Sequence, residues 1–337
     1  MRAFFVHTAL LVLSFSVESF AWGEHGHRTV GYLARLYFTP NGEALFNELL
    51  APTAMFDISD GAVWADDHGV QIRMPFSKPW HYIDAKDDPP DNCTIVYSTD
   101  CDPDKHCVIA AIVNMTSRVN NQALLKQEQS NAFKFLLHFL GDVTQPLHTE
   151  EKCKGGNNLM VQWGPLNSPR EKLHQVWDSL IIQKLIGYKR PTSPDPNNVY
   201  DKSLARTWAA ELKTRIDAGL LAAPTALECI NINTPEKCAL KWAGEANKLI
   251  CSYVLKDGKN LGRDRNNDDC RWEWHGPEDV SKEYYQGAVP IVEAQIAKAG
   301  YRLGAWVNAL AEQRSVMRRN GITFDEGSLR VQGRLDL

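Results

Sequence analysis

Residues 133–148 read FKFLLHFLGDVTQPLH and combine a helical apolar pattern with regularly placed His and Asp residues. The apolar residues recur at the spacing of a helix with one buried face: Phe133, Leu136, Leu137 and Leu140. His138 and Asp142 are four residues apart and therefore project from one face of that helix. A Gln-Pro-Leu turn then places His148 close to its end. This stretch predicts a helix that ends in a group of two histidines and one aspartate.

The segment LHQVWD repeats the same spacing, with His174 and Asp178 four residues apart. Upstream, Asp66 and His81 bracket a loop, and His27 lies near the start of the chain. Imidazole nitrogen and carboxylate oxygen form a ligand set that suits zinc in hydrolytic sites. Either His/Asp pair alone is also compatible with a surface ion pair or a hydrogen-bonded core histidine. Burying all these groups together without metal would be costly, so the sequence predicts a zinc site.

The rest of the chain also has mainly helical patterns. Thr39-Pro40 reads as an N-cap followed by a first-turn proline, and it predicts a helix through Leu50. Further helical patterns occupy residues 108–113, 173–181, 205–216, 236–255 and 278–309. The alternation in 159–163 predicts one arm of a small β-hairpin, whereas 75–79, 87–103 and 189–198 predict loops. We therefore expect one all-α domain over residues 22–310 and a loosely ordered charged tail over 311–337.

The first 21 residues predict a secretory signal peptide. Arg2 precedes an apolar stretch too short to span a bilayer, and Ser19-Phe20-Ala21 offers small residues for cleavage before Trp22. The alternative is a buried N-terminal helix. Two sequons, which begin at Asn92 and Asn114, agree with a secretory route and glycosylation. We therefore expect a protein that is secreted to the extracellular space.

The chain contains eight cysteines, which fit an oxidising compartment. Cys101 and Cys107 flank a short loop and form the best candidate disulfide. The sequence leaves open the pairing of the other six: Cys93, Cys153, Cys229, Cys238, Cys251 and Cys270.

The formal net charge of −4 makes the chain a poor candidate for binding duplex phosphates through a basic surface. If the protein handles nucleic acid, its positive charge has to come from elsewhere. Bound metal ions are the obvious source.

Six motifs in order resemble those of a known family. They are Trp22-Gly23-x-x-Gly26-His27, Trp64-Ala65-Asp66, Trp80-His81-Tyr82-Ile83-Asp84, the His138–His148 segment, Gly155-Gly156-Asn157 and Leu173-His174-x-x-Trp177-Asp178. The chain resembles the secreted three-zinc, single-strand-specific nucleases of moulds and plants, the S-one and P-one type. The resemblance runs from Trp22 to about Leu310. It implies a mainly helical fold of the zinc phospholipase C and single-strand nuclease type.

The resemblance also implies three Zn²⁺ ions per chain. The ligands of the first zinc would be Asp66, His81, His138 and Asp142. Those of the second would be His27, Asp142 as a bridge, and the free amine and carbonyl of Trp22. Those of the third would be His148, His174 and Asp178, with water completing the shell. Signal cleavage would create the Trp22 amine, which has to lose its proton to bind metal.

The family's chemistry implies hydrolysis of phosphodiesters in single-stranded DNA or RNA, with 5′-phosphate ends, and of 3′-nucleotides. Two zinc ions would share a hydroxide that attacks phosphorus, while the third stabilises the departing 3′-oxygen. Asp66 is expected to be essential for turnover. Tyr82 and Asp84 match the base site, where a ring stacks on an unpaired base and a carboxylate accepts from its amino edge. Asn157 is expected to donate to phosphate.

One position departs from the family pattern. Fungal members carry Lys or Arg three residues after the aspartate that aligns with Asp66, and this chain has Gly69. Three nearby residues are candidates to supply the missing charge: His68, Arg73 and Lys78. The departure affects the expected rate, pH optimum and substrate range, and leaves the metal ligands intact.

Two other functions compete with the nuclease. A zinc phospholipase C shares the fold and the metal core, but its last ligand is typically Glu where this chain has Asp178. A secreted zinc-binding protein without catalysis is the second alternative, and the missing cation at Gly69 favours it. Activity that disappears in Asp66→Ala would identify an enzyme. We expect a monomer without a membrane anchor; the preferred base and sugar stay open.

Overall fold

The computed structural model describes residues 22–53, 56–193, 195–221, 229–257 and 278–321. The predicted signal peptide lies outside these residues. The α-helices are α1 (Glu24–Arg35), α2 (Pro40–Leu50), α3 (Ile58–Val63), α4 (His68–Arg73), α5 (Tyr97–Asp100), α6 (Val108–Val119), α7 (Lys126–Asp142), α8 (Leu173–Gln175), α9 (Ile181–Leu185), α10 (Val199–Asp217), α11 (Pro235–Leu249) and α12 (Glu283–Arg319). The predicted mainly helical fold is confirmed.

Shorter elements connect these helices. There are 3₁₀ turns at Trp64–Asp66, Pro75–His81 and Pro146–Thr149, and π turns at Val176–Leu180 and Ile250–Val254. Strands β1 (Met160–Gln162) and β2 (Arg170–Lys172) pair antiparallel with Val161 opposite Glu171. The predicted hairpin is therefore present.

Helices α1 and α7 form the centre of the fold. Residues 25–34 of α1 are all buried, and α1 packs against α3, α10 and α12. Helix α7 buries its C-terminal half and packs against α6, α3 and α2. The two helices meet at Gly141, where an added Cβ would lie 2.9 Å from Nδ1 of His27. Glycine at this position therefore allows the close approach that brings the two helices' polar groups together.

Helix α2 begins where the sequence predicts. The Thr39 hydroxyl accepts a hydrogen bond from the Gly42 N–H at 3.1 Å, and Pro40 occupies the first turn. The helix ends at Leu50, followed by Ala51 in the left-handed region. An N-cap hydroxyl satisfies one of the backbone donors that the first turn leaves unpaired.

Two predicted loops and the predicted tail are wrong in part. Within the predicted loop 87–103, residues Tyr97–Asp100 form the single helical turn α5, whose Asp100 accepts a hydrogen bond from the Val96 N–H. Residues 75–79 belong to a 3₁₀ turn that starts at Pro75, because proline is tolerated in a first turn. The tail was predicted to be loosely ordered after Glu312, but α12 continues to Arg319. There the buried Arg314 donates to Glu48 at 2.8 Å and to Gln129 at 2.9 Å, which holds the last turns against the core.

Disulfides fasten the periphery of the fold. Cys101 is bonded to Cys107, Cys229 to Cys238, and Cys93 to Cys251 across 158 residues of sequence. Cys153 is also disulfide-bonded, and Cys270 lies outside the described residues. Among the described helices, none combines the length and the apolar character that crossing a membrane requires.

Candidate metal centre

The C-terminal end of α7 places His138 and Asp142 beside His27 of α1. Oδ1 of Asp142 lies 3.2 Å from Nε2 of His27, and Oδ2 lies 3.3 Å from Nε2 of His138. All three side chains are buried, and the two imidazole rings are stacked at 3.8 Å between centroids. The two carboxylate oxygens of Asp142 therefore face different histidines, one on each of the two helices.

The 3₁₀ turns before and after α4 add Asp66 and His81 to this group. Nδ1 of His81 lies 3.1 Å from Oδ2 of Asp142 and 3.6 Å from Oδ1 of Asp66. The same Asp66 oxygen is 3.4 Å from Nε2 of His138. The structure thus brings together residues far apart in the sequence, such as His27 and Asp142, which are 115 positions apart.

A second group lies beside the first and contains His148, His174 and Asp178. Nε2 of His174 is 3.1 Å from Nε2 of His148 and 3.2 Å from Oδ2 of Asp178. Asp178 lies in the π turn that interrupts the helical run between α8 and α9. A π turn shifts the side chains that follow it, and such turns often occur at functional sites.

Backbone carbonyls orient three of the histidines. In each of them Nδ1 donates to a backbone carbonyl at 2.5–2.7 Å. His138 donates to the carbonyl of Ala62, His148 to the carbonyl of His81, and His174 to the carbonyl of Gly155. A histidine that donates from Nδ1 presents an unprotonated Nε2, which is the form that binds metal. Gln145 also donates from Nε2 to Oδ1 of Asp178 at 2.6 Å.

Several buried polar atoms of the first group make no well-aligned hydrogen bond, even where another polar atom lies 3.2–3.4 Å away. They are both ring nitrogens of His27, Nε2 of His81, Oδ1 of Asp66 and Oδ1 of Asp142. Buried polar groups normally find partners because leaving one unpaired costs free energy. A mixed nitrogen and oxygen donor set of this kind fits zinc.

The electrostatics of the cluster point the same way. Burial raises the pKa of Asp142 well above the usual carboxyl range and lowers the pKa of His27, His81 and His148. For His138, burial is outweighed by two neighbouring carboxylates, which raise its pKa to about 9. Bound cations stabilise carboxylates and neutral imidazoles together, so they compensate for this burial.

Trp22 lies beside this cluster. Its side chain is fully buried, and its Nε1 donates to the hydroxyl of Thr144 at 3.0 Å, two residues after Asp142. The next residue, Gly23, donates its N–H to the carbonyl of Asp178 at 2.7 Å. These contacts hold the start of the described chain between the two metal-ligand groups.

Tyr82 and Asp84 follow His81 along an extended segment. Ile83, between them, is buried and donates its N–H to the His148 carbonyl at 2.8 Å. Because side chains alternate along extended backbone, Tyr82 and Asp84 project to the side opposite Ile83. Tyr82 is 39% exposed, and burial followed by the Glu151 charge raises the pKa of Asp84 to about 6. The pair forms an accessible ring and carboxyl next to a metal ligand.

The Gly-Gly-Asn turn supports the second group. Gly155 has a φ of 57°, and an added Cβ would approach the Leu147 carbonyl to 2.6 Å, so the turn requires glycine here. The Gly155 carbonyl accepts from His174. Asn157 is half-buried and donates from Nδ2 to the Lys154 carbonyl at 3.0 Å. Its amide retains a second N–H.

Sequence reasoning missed the residues behind the ligands. Gln145 was read only as part of a turn, yet it contacts Asp178. The carbonyl of Ala62 could not be found from sequence, because any residue type offers a carbonyl. Thr144, which links Trp22 to the end of α7 and accepts a hydrogen bond from Gln295 through its own carbonyl, gave no signal either.

Among the described residues, the first group contains two triads that could each hold a metal ion and that share His138, and the second group is a third such triad. A buried set of His and Asp ligands of this kind is typical of metal-dependent hydrolases. Residues 22–312 match the family model described as S1/P1 Nuclease. The chain belongs to this family.

Curated relatives cover nearly the same span. Nuclease P1 of Penicillium citrinum is 33% identical over 291 residues, which is 86% of this chain and 97% of that protein. Nuclease S1 of Aspergillus oryzae is 33% identical over 305 residues, 90% of this chain and 96% of that protein. Endonuclease 4 of Arabidopsis thaliana is 28% identical and covers 86% of this chain and 89% of that protein. These matches favour the nuclease over both the phospholipase C and the non-catalytic alternatives.

Proposed function

We propose that this protein is a zinc-dependent endonuclease for single-stranded DNA and RNA that also removes 3′-phosphates from nucleotides. One observation carries the proposal: a buried His/Asp cluster with unpaired donor atoms lies directly beside the exposed ring of Tyr82 and the carboxyl of Asp84. Phosphate chemistry and recognition of a base are thus possible side by side.

In this proposal three zinc ions are held by nine residues. They are Trp22, His27, Asp66, His81, His138, Asp142, His148, His174 and Asp178. When bound, zinc supplies Lewis acidity and lowers the pKa of water near neutrality. Asp142 would be shared between two of the ions and Asp66 would be a further ligand, while the carbonyls of Ala62, His81 and Gly155 hold the imidazoles in place.

The base pocket explains a preference for single strands. Tyr82 stacks on the face of an unpaired base, and Asp84 accepts a hydrogen bond from the amino group on the edge of that base. In a duplex the face and the edge of each base are buried in the base stack. Asn157 would donate its remaining amide N–H to a phosphate oxygen.

The test is hydrolysis of denatured and duplex DNA by the mature protein, with a zinc chelator, and with zinc restored afterwards. We expect rapid, chelator-sensitive digestion of the denatured strand, 5′-phosphate ends and recovery on adding zinc. Equal digestion of both substrates would contradict the base pocket, and chelator-resistant digestion would contradict the metal centre. Release of lipid headgroups without DNA digestion would favour the phospholipase C alternative.

Asp84 predicts a pH dependence of substrate binding. Its carboxylate form prevails above a pH of about 6, so the preference for a base should weaken as the pH falls below that value. The measurement is the KM for an abasic strand divided by the KM for a normal strand, between pH 5 and pH 8. Both strands use the same metal centre, so the effect of pH on that centre cancels in the ratio. We expect the ratio to fall about 5-fold at low pH in the wild type.

The matched control is Asp84→Asn, which keeps the shape and removes the titrating proton. Its KM ratio should be low and independent of pH. A ratio that still changes with pH in this variant would assign the effect to another group.

The positive charge that fungal relatives carry at the position of Gly69 is supplied here by Arg73. Nη1 of Arg73 lies 3.1 Å from the point where a Cβ at position 69 would sit, so Arg73 occupies the space beside this glycine. We expect Arg73→Ala to lower kcat/KM at low salt about 5-fold, with a smaller effect at high salt, because an exposed cation is screened. Adding Gly69→Lys to that variant should restore most of the loss.

Arg319→Ala, an exposed arginine at the end of α12, is the control and should leave kcat/KM unchanged. If Gly69→Lys fails to rescue Arg73→Ala, Arg73 does not act as the replacement charge.

We also propose secretion and glycosylation. The disulfides support an oxidising compartment. Asn92 is exposed, which suits a glycan, whereas Asn114 is half-buried within α6 and the hydroxyl of Thr116 accepts a hydrogen bond from Trp306. Asn92 is therefore the better-placed of the two sequons.

A further inference from the structure

A second polar cluster lies outside the metal centre and joins three parts of the chain. Asp87 comes from the loop after Tyr82 and Asp84, Glu150 follows the 3₁₀ turn that carries His148, and Asn247 comes from the last turns of α11. Glu150 is 2% exposed and Asn247 is fully buried. The proposed hydrolysis uses none of the three.

Each of the three side chains already makes hydrogen bonds through one of its two polar head-group atoms. Nδ2 of Asn247 donates to Oδ2 of Asp87 and to the carbonyl of Thr149, both at 3.0 Å. Oδ2 of Asp87 also accepts from the N–H of Thr94 at 2.9 Å, and Oε1 of Glu150 accepts from the N–H of Lys152 at 2.7 Å. The bonds from Asn247 bring its amide against Asp87 and against Thr149, the residue before Glu150.

The remaining oxygen of each side chain accepts no hydrogen bond from an N–H or hydroxyl group of the protein. These atoms are Oδ1 of Asp87, Oε2 of Glu150 and Oδ1 of Asn247, and all are buried. The carboxyl groups of Asp87 and Glu150 lie within hydrogen-bond distance of each other, which two charged carboxylates avoid unless a proton or a cation lies between them. Two adjacent buried carboxylates with unpaired oxygens are strongly destabilising unless a positive charge compensates them.

We propose that Asp87, Glu150 and Asn247 bind a calcium ion, separate from the zinc centre. The three unpaired donors are all oxygen, which hard cations such as calcium prefer, whereas the imidazoles of the zinc centre are absent here. A divalent ion also balances the two carboxylate charges. Backbone carbonyls and water complete the six to eight ligands that calcium takes.

Calcium at this position has a structural consequence. It connects the loop that carries the proposed base pocket, three residues from Asp84, to α11 and to the segment after His148. The Cys93–Cys251 disulfide joins the same loop region to the π turn that follows α11. The ion and the disulfide therefore restrain the loop at two nearby points.

The experiment measures calcium binding directly, on zinc-loaded protein in calcium-free buffer. Titration calorimetry with calcium chloride should show one site, and about 5 mM calcium should raise the Tm by about 3 °C or more. Magnesium should bind more weakly because it is smaller and gives up its water reluctantly. Zinc content, measured by mass spectrometry, should not change.

The double variant Asp87→Asn and Glu150→Gln keeps both shapes and removes both charges. Without calcium it should melt at or above the wild-type Tm, because the repulsion is gone, and calcium should no longer change its Tm. Wild-type protein that shows no calcium site and no Tm shift would overturn the proposal, and the two carboxyls would then share a proton. An equal shift in wild type and variant would place the calcium elsewhere and overturn it too.

Discussion

The Asp142→Asn variant is expected to lose at least about 10³-fold in kcat/KM on denatured DNA. Asp142 lies between the histidines, with one oxygen facing His27 and the other facing His81 and His138. Asparagine offers one neutral oxygen in place of two charged ones, so in the proposed arrangement two ions would lose a shared ligand at once. Losing a group outside the ligand shell already costs about 10- to 100-fold, and a bridging ligand should cost more.

Measuring the Tm distinguishes a loss of activity through lost metal from a loss through unfolding. Burial holds the folded-state pKa of Asp142 above its unfolded value, so the metal-free protein loses stability as the pH rises toward neutrality. Asparagine does not titrate, so the metal-free variant does not lose stability in this way as the pH rises. The metal-free variant should therefore melt at or above the Tm of metal-free wild type, while zinc raises the Tm of the wild type much more than that of the variant.

The control is Asp201→Asn, a buried aspartate of α10 that contacts His25 at 3.0 Å outside the ligand groups. It should keep its metal content and its kcat/KM. Metal content and activity near the wild-type level in Asp142→Asn would disprove the bridging role.

Residues left ahead of Trp22 are expected to lower kcat/KM by at least about 10²-fold and to remove one metal ion per chain. An added residue turns the α-amine into an amide, which cannot bind zinc. The Trp22 ring is fixed by burial and by its bond to Thr144, so the backbone has little freedom to move the new amide away.

The experiment compares protein that begins at Trp22 with protein that carries Ala-Gly before it, and with protein that carries the same two residues after Leu337. Activity and metal content should fall only in the first extension. Unchanged metal content in the N-terminally extended protein would exclude the Trp22 amine as a ligand.

The helical fold was predictable where local chemistry decides it. Thr39 and Pro40 gave the start of α2, because an N-cap hydroxyl and a first-turn proline act within four residues. The length of α12 was not predictable from local pattern. Its last turns are charged and look like a solvated tail, but Arg314 is paired by Glu48 and Gln129, which come from distant helices.

The candidate site also has a part that was predictable from sequence and a part that was not. The i, i+4 spacing of His138 and Asp142 and of His174 and Asp178 is visible in the sequence, since a helix repeats every 3.6 residues. The family resemblance added the other ligands. Neither source shows that Asp178 lies in a π turn, that Gly141 admits His27 to the end of α7, or that Arg73 fills the space beside Gly69.

The sequence by itself determined the residue types, their helical spacing and the family. Only the tertiary structure decided which atoms face one another, and it revealed the cluster of Asp87, Glu150 and Asn247, which no spacing predicts. The physical reason is that ligand geometry and burial arise from packing between segments far apart in the sequence, such as Asp87 and Asn247, which are 160 residues apart. Local sequence patterns carry no information about such contacts.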